Sequence, residues 1–187
     1  MTPDEIANRY QIRRLAKGET IVSFDCGDDD LNDFIINESV QYRQARLAVT
    51  YVIEVKNTNR VIGFFSLAND RVSISDFESK TEFNRFRKKR FVNEKRLKSY
   101  PATKICRLGI DSSAKGQSLG TFILDFIKSY FVIDNKTGCR FITVDAYADA
   151  VPFYLKNNFL PLSSDSDTDH TKLLFFDLEE IEEAAIE

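Results

Sequence analysis

The fold is decided by one stretch of the sequence, Leu108-Gly109-Ile110-Asp111-Ser112-Ser113-Ala114-Lys115-Gly116-Gln117-Ser118-Leu119-Gly120. Its first residues are typical of a strand, a loop of small residues follows, and an amphipathic helix begins at or near Gly120. From there the apolar residues recur at spacings of three and four, so one stripe faces a core. These residues are Leu119, Phe122, Ile123, Phe126, Ile127, Tyr130 and Phe131. The stretch therefore predicts a strand, a loop and a helix in direct succession.

The loop has the composition of an anion-binding turn. Gly116, Ser118 and Gly120 carry little or no side chain, so a ligand can approach the backbone N–H groups of the first helical turn. The helix dipole favours negative charge at the same place. A phosphate or pyrophosphate is the predicted ligand; the alternative is a tight strand-to-helix turn whose glycines serve sterics alone. The stretch matches neither a Walker loop nor a G-x-G-x-x-G fingerprint.

Length and composition indicate a single globular domain, residues 1–187. The chain has 187 residues, of which 43% are hydrophobic, and this is enough to bury one core. No apolar run reaches the roughly 18 residues of a membrane span, and the first residues are acidic, unlike a basic signal peptide. We therefore expect a cytoplasmic protein with no membrane partner. Cys26, Cys106 and Cys139 are far apart, which favours buried thiols over disulfides or a zinc site.

The charge of the chain is unevenly distributed. The formal net charge is -3, but an acidic C-terminal tail, about residues 179–187, accounts for much of the negative charge. The segment 85–98 carries eight basic residues and one acidic residue, Glu94. This basic segment indicates either a solvated helix face or a surface that binds nucleic acid or a phosphorylated cofactor.

The remaining elements alternate between strand and helix patterns, which predicts an α/β or α+β sheet with helices packed on it. Asp28, Asp29 and Asp30 suit a helix N-terminus better than a metal site. His170 is the only histidine and lies in a polar stretch, so a histidine relay is poorly supported. The strands are expected at 11–15, 47–55, 61–67, 104–111, 140–146 and 173–178, with a break at Tyr100-Pro101 before the fourth and a short helix from Val151 after the fifth.

Two motifs resemble the GNAT superfamily of acyl-CoA-dependent N-acetyltransferases. The pyrophosphate loop of that superfamily has the pattern Gln/Arg-x-x-Gly-x-Gly/Ala, and Lys115-Gly116-Gln117-Ser118-Leu119-Gly120 lies on it. Lys115 replaces the usual Gln or Arg, and Ser118 replaces the middle Gly. Downstream, Phe153-Tyr154-Leu155-Lys156-Asn157-Asn158-Phe159 is similar to the F-Y-x-x-x-G-F segment, with Asn158 in place of Gly. Asn tolerates a left-handed backbone better than other non-glycine residues, so this turn is expected to survive.

The resemblance implies a fold, a reaction and a site. The fold is a mixed, mostly antiparallel sheet with splayed central strands and helices on both faces. The reaction is transfer of an acetyl group from acetyl-CoA, as cosubstrate, to a primary amine, without a metal. Tyr154 is the expected catalytic acid, with a core aromatic as its alternative role. The expected coenzyme-binding residues are Leu108, Gly109, Ile110, Lys115, Gly116, Gln117, Ser118, Leu119, Gly120 and Thr121.

Within the superfamily, the N-terminal half resembles the GNAT toxins of bacterial toxin-antitoxin pairs. The resemblance is carried by Phe24-Asp25-Cys26-Gly27 with Leu31-Asn32-Asp33-Phe34, and by Tyr100-Pro101 ahead of the strand. It implies the amine of aminoacyl-tRNA as acceptor, bound through the basic segment 85–98, and an antitoxin protein as a partner; another small or protein amine and a homodimer are further options. A non-catalytic module that binds acyl-CoA or nucleic acid on the same fold is the alternative function.

Overall fold

The computed structural model of the chain describes residues 2–91, 97–133, 137–162 and 170–184, without the side chains of 3 and 182–184. The chain divides into two compact units, Met1–Ala68 with Ile105–Ile127 and Asn69–Lys104 with Lys128–Glu187. Each unit has its own hydrophobic cluster. The single domain over residues 1–187 stays a prediction.

Seven strands of the described chain form one sheet in the order β1-β2-β3-β4-β5-β7-β6. Antiparallel ladders join β1 to β2, β2 to β3, β5 to β7 and β6 to β7. The β4–β5 ladder is parallel and has three pairs, Ala102–Phe141, Thr103–Ile142 and Lys104–Thr143. The expected mixed, mostly antiparallel sheet is confirmed. The strands are β1 Tyr10–Arg14, β2 Val49–Val55, β3 Val61–Ser73, β4 Ser99–Ile110, β5 Phe141–Tyr147, β6 Leu160–Pro161 and β7 Thr171–Asp177.

Three of the described helices, α1, α2 and α4, begin at a side-chain cap. Asp28 accepts a hydrogen bond from the Leu31 N–H and caps α2, as the acidic triplet predicts, and Ser79 caps α4 in the same way. A π-helical turn, Phe34–Glu38, separates α2 from α3, and the apolar spacing gave no sign of it. The helices are α1 Pro3–Arg9, α2 Asp29–Asp33, α3 Ser39–Gln44, α4 Lys80–Arg90, α5 Leu119–Ile133, α6 Val151–Lys156 and α7 Glu179–Ala184.

Each unit is built around aromatic side chains. In the first unit Phe24, Phe34 and Phe64 pack together, with Phe24 edge-on to Phe64 at 5.2 Å between ring centroids. In the second unit Phe83, Phe86, Tyr100, Phe141 and Phe175 form the cluster. The centroid of the Phe86 ring lies 5.6 Å from that of Phe141 and 5.3 Å from that of Phe175.

Three expectations are corrected by the structure. Tyr100-Pro101 does not precede the strand but lies within β4. Pro101 is tolerated there because it comes before the first β4–β5 pair, so its missing N–H breaks no bond of that ladder. The residues after the last strand, expected only as an acidic tail, form the helix α7 over their described part; residues 185–187 lie outside the described residues. Of the three thiols only Cys26 is buried, while Cys106 and Cys139 are half-buried.

No helix in the described part of the chain is long and apolar enough to cross a membrane.

Candidate functional site

The strand β4 delivers Leu108, Gly109 and Ile110 to the loop at its end. The Asp111 N–H donates to the Ile62 carbonyl at 3.0 Å and the Ser112 N–H donates to the Asp25 carbonyl at 2.8 Å, so backbone bonds fix both sides of the turn. The Asp111 carboxylate accepts the Ser113 N–H at 3.0 Å and also the Ser113 hydroxyl. Burial acts against the charged carboxylate, but these hydrogen bonds outweigh it and hold the pKa of Asp111 below its ordinary value.

The backbone of the loop presents N–H groups ahead of the helix. Gly116 and Ser118 have φ angles of 76° and 62°, and α5 starts at Leu119. The first helical bond runs from the Phe122 N–H to the Ser118 carbonyl at 3.1 Å, so the N–H groups of the three residues between them precede the hydrogen-bonded turn. A φ of this sign suits glycine, whereas at Ser118 it costs roughly 1 kcal/mol. The loop therefore keeps the backbone that the glycine pattern implies, at some cost.

The loop side chains differ in what they contact. Gln117 accepts a hydrogen bond from the Tyr10 hydroxyl at 3.0 Å, which ties the loop to β1. Lys115 is exposed, and its Nζ lies 3.6 Å from the place where a Cβ on Gly27 would be. Apart from its two chain neighbours, no described residue has an atom within 4 Å of a Cβ built on Gly116. Leu119 is buried in the core, while Gly120 and Thr121 are half-buried, so the open side of the loop runs from Lys115 to Ser118.

Gly109 has a packing role that sequence reasoning missed. A Cβ at this position would lie 2.8 Å from Cε1 of Phe64 and 3.5 Å from Cε1 of Phe24. Any side chain there would displace the buried Phe64 ring. Packing in the core of the first unit is thus a sufficient reason for glycine at position 109, independent of any ligand that the backbone of β4 binds.

Arg60 is a second feature of this site that no local sequence pattern marks. It ends the hairpin between β2 and β3, and its Nη2 donates to the Ser113 hydroxyl at 2.7 Å and to Asp111 at 3.4 Å. The Arg60 side chain is 61% exposed. The fold thus adds a cation to the loop from a position some fifty residues earlier in the sequence.

The second unit holds Tyr154, on the short helix α6. Pro152 lies in the first turn of α6 as expected, and the Tyr154 ring packs edge-on to Phe153 and Phe159 at 5.1 Å and 5.4 Å. Burial raises the pKa of Tyr154 above its ordinary value. The phenol therefore remains protonated at neutral pH, which is the state that a proton donor needs.

The turn after α6 confirms the expectation for Asn158. Its φ is 65°, and the Phe159 N–H donates back to the Tyr154 carbonyl at 3.1 Å, which closes the helix through a left-handed residue. The buried Lys128 donates to the Asn157 carbonyl at 2.9 Å and lies 4.2 Å from the centroid of the Phe176 ring. This end of α6 is therefore held by both backbone and side chain.

The basic segment 85–98 is divided between two roles. Its helical part belongs to α4, where Arg85, Lys88 and Lys89 are exposed and, with Thr81 and Asn84, line a groove of about 580 Å³. Arg87 is buried and Arg90 pairs with Asp177 at 3.2 Å. Residues 92–96, which include Glu94, Lys95 and Arg96, lie outside the described residues.

Groups of three or more His, Cys, Asp or Glu side chains that could hold a metal ion were not found among the described residues. The loop of residues 111–118 belongs to the first unit and Tyr154 belongs to the second.

No protein-family model matches the chain. Solved structures of two toxins are similar to it. A tyrosine-to-phenylalanine mutant of KacT has a TM-score of 0.76 at 22% identity, covering 94% of this chain and 99% of KacT. AtaT complexed with acetyl-methionyl-tRNAfMet has a TM-score of 0.74 at 22% identity, with the same coverage. A tyrosine-to-phenylalanine mutant of AtaT, bound to acetyl-CoA and the C-terminus of the antitoxin AtaR, has a TM-score of 0.67 at 21% identity, covering 96% of this chain and 99% of AtaT.

The similarity extends over nearly the whole chain, and it establishes the fold. This chain has the mixed, mostly antiparallel fold that KacT and AtaT share.

Proposed function

We propose that the chain is an acetyl-CoA-dependent N-acetyltransferase. The observation that carries this proposal is the match of 94% or more of the chain to the fold of toxins solved with acetyl-CoA or an acetylated tRNA. Two local features support it independently of overall shape. They are the left-handed loop ahead of α5 and a buried, protonated tyrosine on α6.

The loop would bind the coenzyme in this scheme. The pyrophosphate would accept hydrogen bonds from the N–H groups between Gly116 and Gly120, where the dipole of α5 adds positive potential. Lys115 is exposed at the start of this loop and supplies a further positive charge. The pantetheine would pair with the backbone of β4 at Leu108 and Ile110. A backbone N–H of the same strand would stabilise the oxyanion.

The reaction requires one proton donor and one proton acceptor. A neutral amine attacks the thioester carbonyl, the C–N bond forms, and the C–S bond breaks as the tetrahedral intermediate collapses. Tyr154 would donate its phenolic proton to the departing thiolate and recover a proton from the amine side through solvent. The products are an amide and free coenzyme A.

The α-amine of an aminoacyl-tRNA is the proposed acceptor. AtaT has been solved with an acetylated tRNA of this kind, and in this chain Arg85, Lys88 and Lys89 offer an exposed cationic groove to a phosphate backbone. Because charged tRNA is found in the cytoplasm, we place the protein there. An antitoxin is a proposed protein partner, since AtaT has been solved with one. A homodimer stays a prediction, which sedimentation equilibrium would test.

Replacing Tyr154 tests the catalytic assignment. Tyr154→Phe keeps the ring but removes the proton, so we expect acetyl-CoA binding to persist while turnover falls roughly 10²- to 10⁴-fold. Tyr130→Phe, at an exposed position of α5, is the matched control and should keep full turnover. Release of free thiol, followed with a chromogenic disulfide, measures both. Unchanged turnover in Tyr154→Phe would remove Tyr154 from this role.

Charged tRNA tests the acceptor. Incubation with aminoacyl-tRNA and radiolabelled acetyl-CoA should label the aminoacyl group, and no label there would exclude this acceptor. If acetyl-CoA binds but no amine in a broad panel releases thiol, the chain is the non-catalytic binding module instead.

A further inference from the structure

We infer that Arg60 is a phosphate-binding residue of the coenzyme site. This inference rests on the proposed function, because it assigns one more contact to the acyl-CoA that the loop would hold. It concerns the first unit alone, and it adds a side chain from the β2–β3 hairpin to a site that the motif places entirely within residues 108–121.

The position of Arg60 is set by the loop itself. One guanidinium nitrogen, Nη2, is shared between the Ser113 hydroxyl and the Asp111 carboxylate. Asp111 is in turn fixed by the Ser113 N–H and by its backbone bond to Ile62. The arginine is therefore oriented by the same short turn that leads into the pyrophosphate loop.

The remaining donors of Arg60 are free to bind a ligand. A guanidinium has five N–H donors in a fixed fork that matches phosphate oxygens. Nε and Nη1 of Arg60 make no hydrogen bond to any residue that the structure describes, and 61% of the side chain is exposed. Arg60 is thus held at one nitrogen and open at the others.

Arg60 also lines a groove of about 540 Å³, which is large enough for a nucleotide. Arg13 also lines this groove, but it is engaged by Glu19 and Glu54 at 2.6 Å and 2.5 Å. Those two carboxylates therefore already have a cationic partner, and Arg60 is the other cation among the lining residues. A ligand that runs from the loop into this groove would pass Arg60.

Two phosphate groups of coenzyme A could be the one that Arg60 binds, the pyrophosphate or the 3′-phosphate of the adenosine. Dephospho-CoA lacks only the 3′-phosphate, so it separates the two. Arg60→Gln removes the charge, and Arg60→Lys keeps the charge without the fork. Arg14→Gln is the matched control, because Arg14 is exposed on β1 and its side chain makes no hydrogen bond or ion pair to a described residue of the loop.

Isothermal titration at one fixed ionic strength provides the test. We expect Arg60→Gln to weaken binding of coenzyme A about tenfold, with Arg60→Lys between it and the wild type. Arg14→Gln should bind like the wild type. A loss for coenzyme A but not for dephospho-CoA assigns Arg60 to the 3′-phosphate, and an equal loss for both assigns it to the pyrophosphate.

The inference is overturned if Arg60→Gln binds coenzyme A as tightly as Arg14→Gln does. That result leaves the proposed function intact, because the wild type still binds the coenzyme. If the wild type binds neither coenzyme A nor acetyl-CoA, the proposed function fails as well. Circular dichroism of each variant shows that a loss of binding is not a loss of fold.

Discussion

The two faces of α4 use the same kind of side chain for opposite purposes. Arg85, Lys88 and Lys89, at spacings of three and four, are exposed and line a groove without forming an ion pair to any described residue. One turn further, Arg90 lies on the rings of Phe86 and Phe175 at 4.2 Å and 4.9 Å and pairs with Asp177. A count of positive charges in the basic segment therefore overstates the surface that is available to a nucleic acid.

Substitutions on the inner face of α4, which carries Arg90, should lower stability more than substitutions on the outer face, which carries Arg85, Lys88 and Lys89. Arg90→Ala takes one of two arginine partners from the buried Asp177 and removes two cation–π contacts, so we expect the free energy of unfolding to fall by about 2–3 kcal/mol. Arg85→Ala on the outer face should change it by less than about 0.5 kcal/mol. Urea denaturation of both variants measures the difference. Equal midpoints would mean that the two faces do not differ.

The outer face should carry the effect on tRNA binding. Replacing Arg85, Lys88 and Lys89 together by Ala should weaken tRNA binding roughly tenfold or more and lower the slope of log K against log salt by about 2 to 3. Filter binding at several salt concentrations gives both values, and the melting temperature serves as the control for folding. An unchanged slope would show that the groove is only a solvated surface.

Exchange of arginine for lysine on α4 should give the smallest change in stability, and only at Arg90. Arg90→Lys keeps the charge but loses the planar fork and the stacked guanidinium, so we expect a loss of about 1 kcal/mol of stability. Arg85→Lys should leave both stability and tRNA binding near the wild type, because an exposed phosphate contact needs a charge more than a fork. If both exchanges were silent, Arg90 would be acting only as a point charge.

The sequence predicted those parts of the fold that depend on local pattern. The strand, loop and helix at 108–120, the hairpin of β2 and β3, and the cap at Asp28 are all encoded by neighbours in the chain. The same holds for the turn at Asn158, whose residue type tolerates its backbone. The two motifs that suggested the fold lie in these locally determined regions.

The features that were missed depend on residues distant in sequence. Arg60 reaches Ser113 only because β3 pairs β2 in the sheet and brings the hairpin to the end of β4, and no local pattern marks it. Gly109 is expected to bind the coenzyme, and the ring of Phe64 also excludes a side chain there, a packing role that no local pattern marks. Pro101 predicted a break before the strand, but it lies near the start of β4, ahead of the first β4–β5 pair, where its missing N–H breaks no bond of that ladder.

Ser118 and Asn158 show what a glycine motif encodes. Both occupy positions where the family pattern has Gly, and both keep a left-handed backbone, at φ angles of 62° and 65°. The left-handed backbone is thus kept at both positions although neither residue is glycine. A homologue in which both residues had reverted to glycine would have the same turns with less local strain, and a homologue with a β-branched residue at either position would not. The two turns therefore restrict these positions to residues that adopt a left-handed backbone.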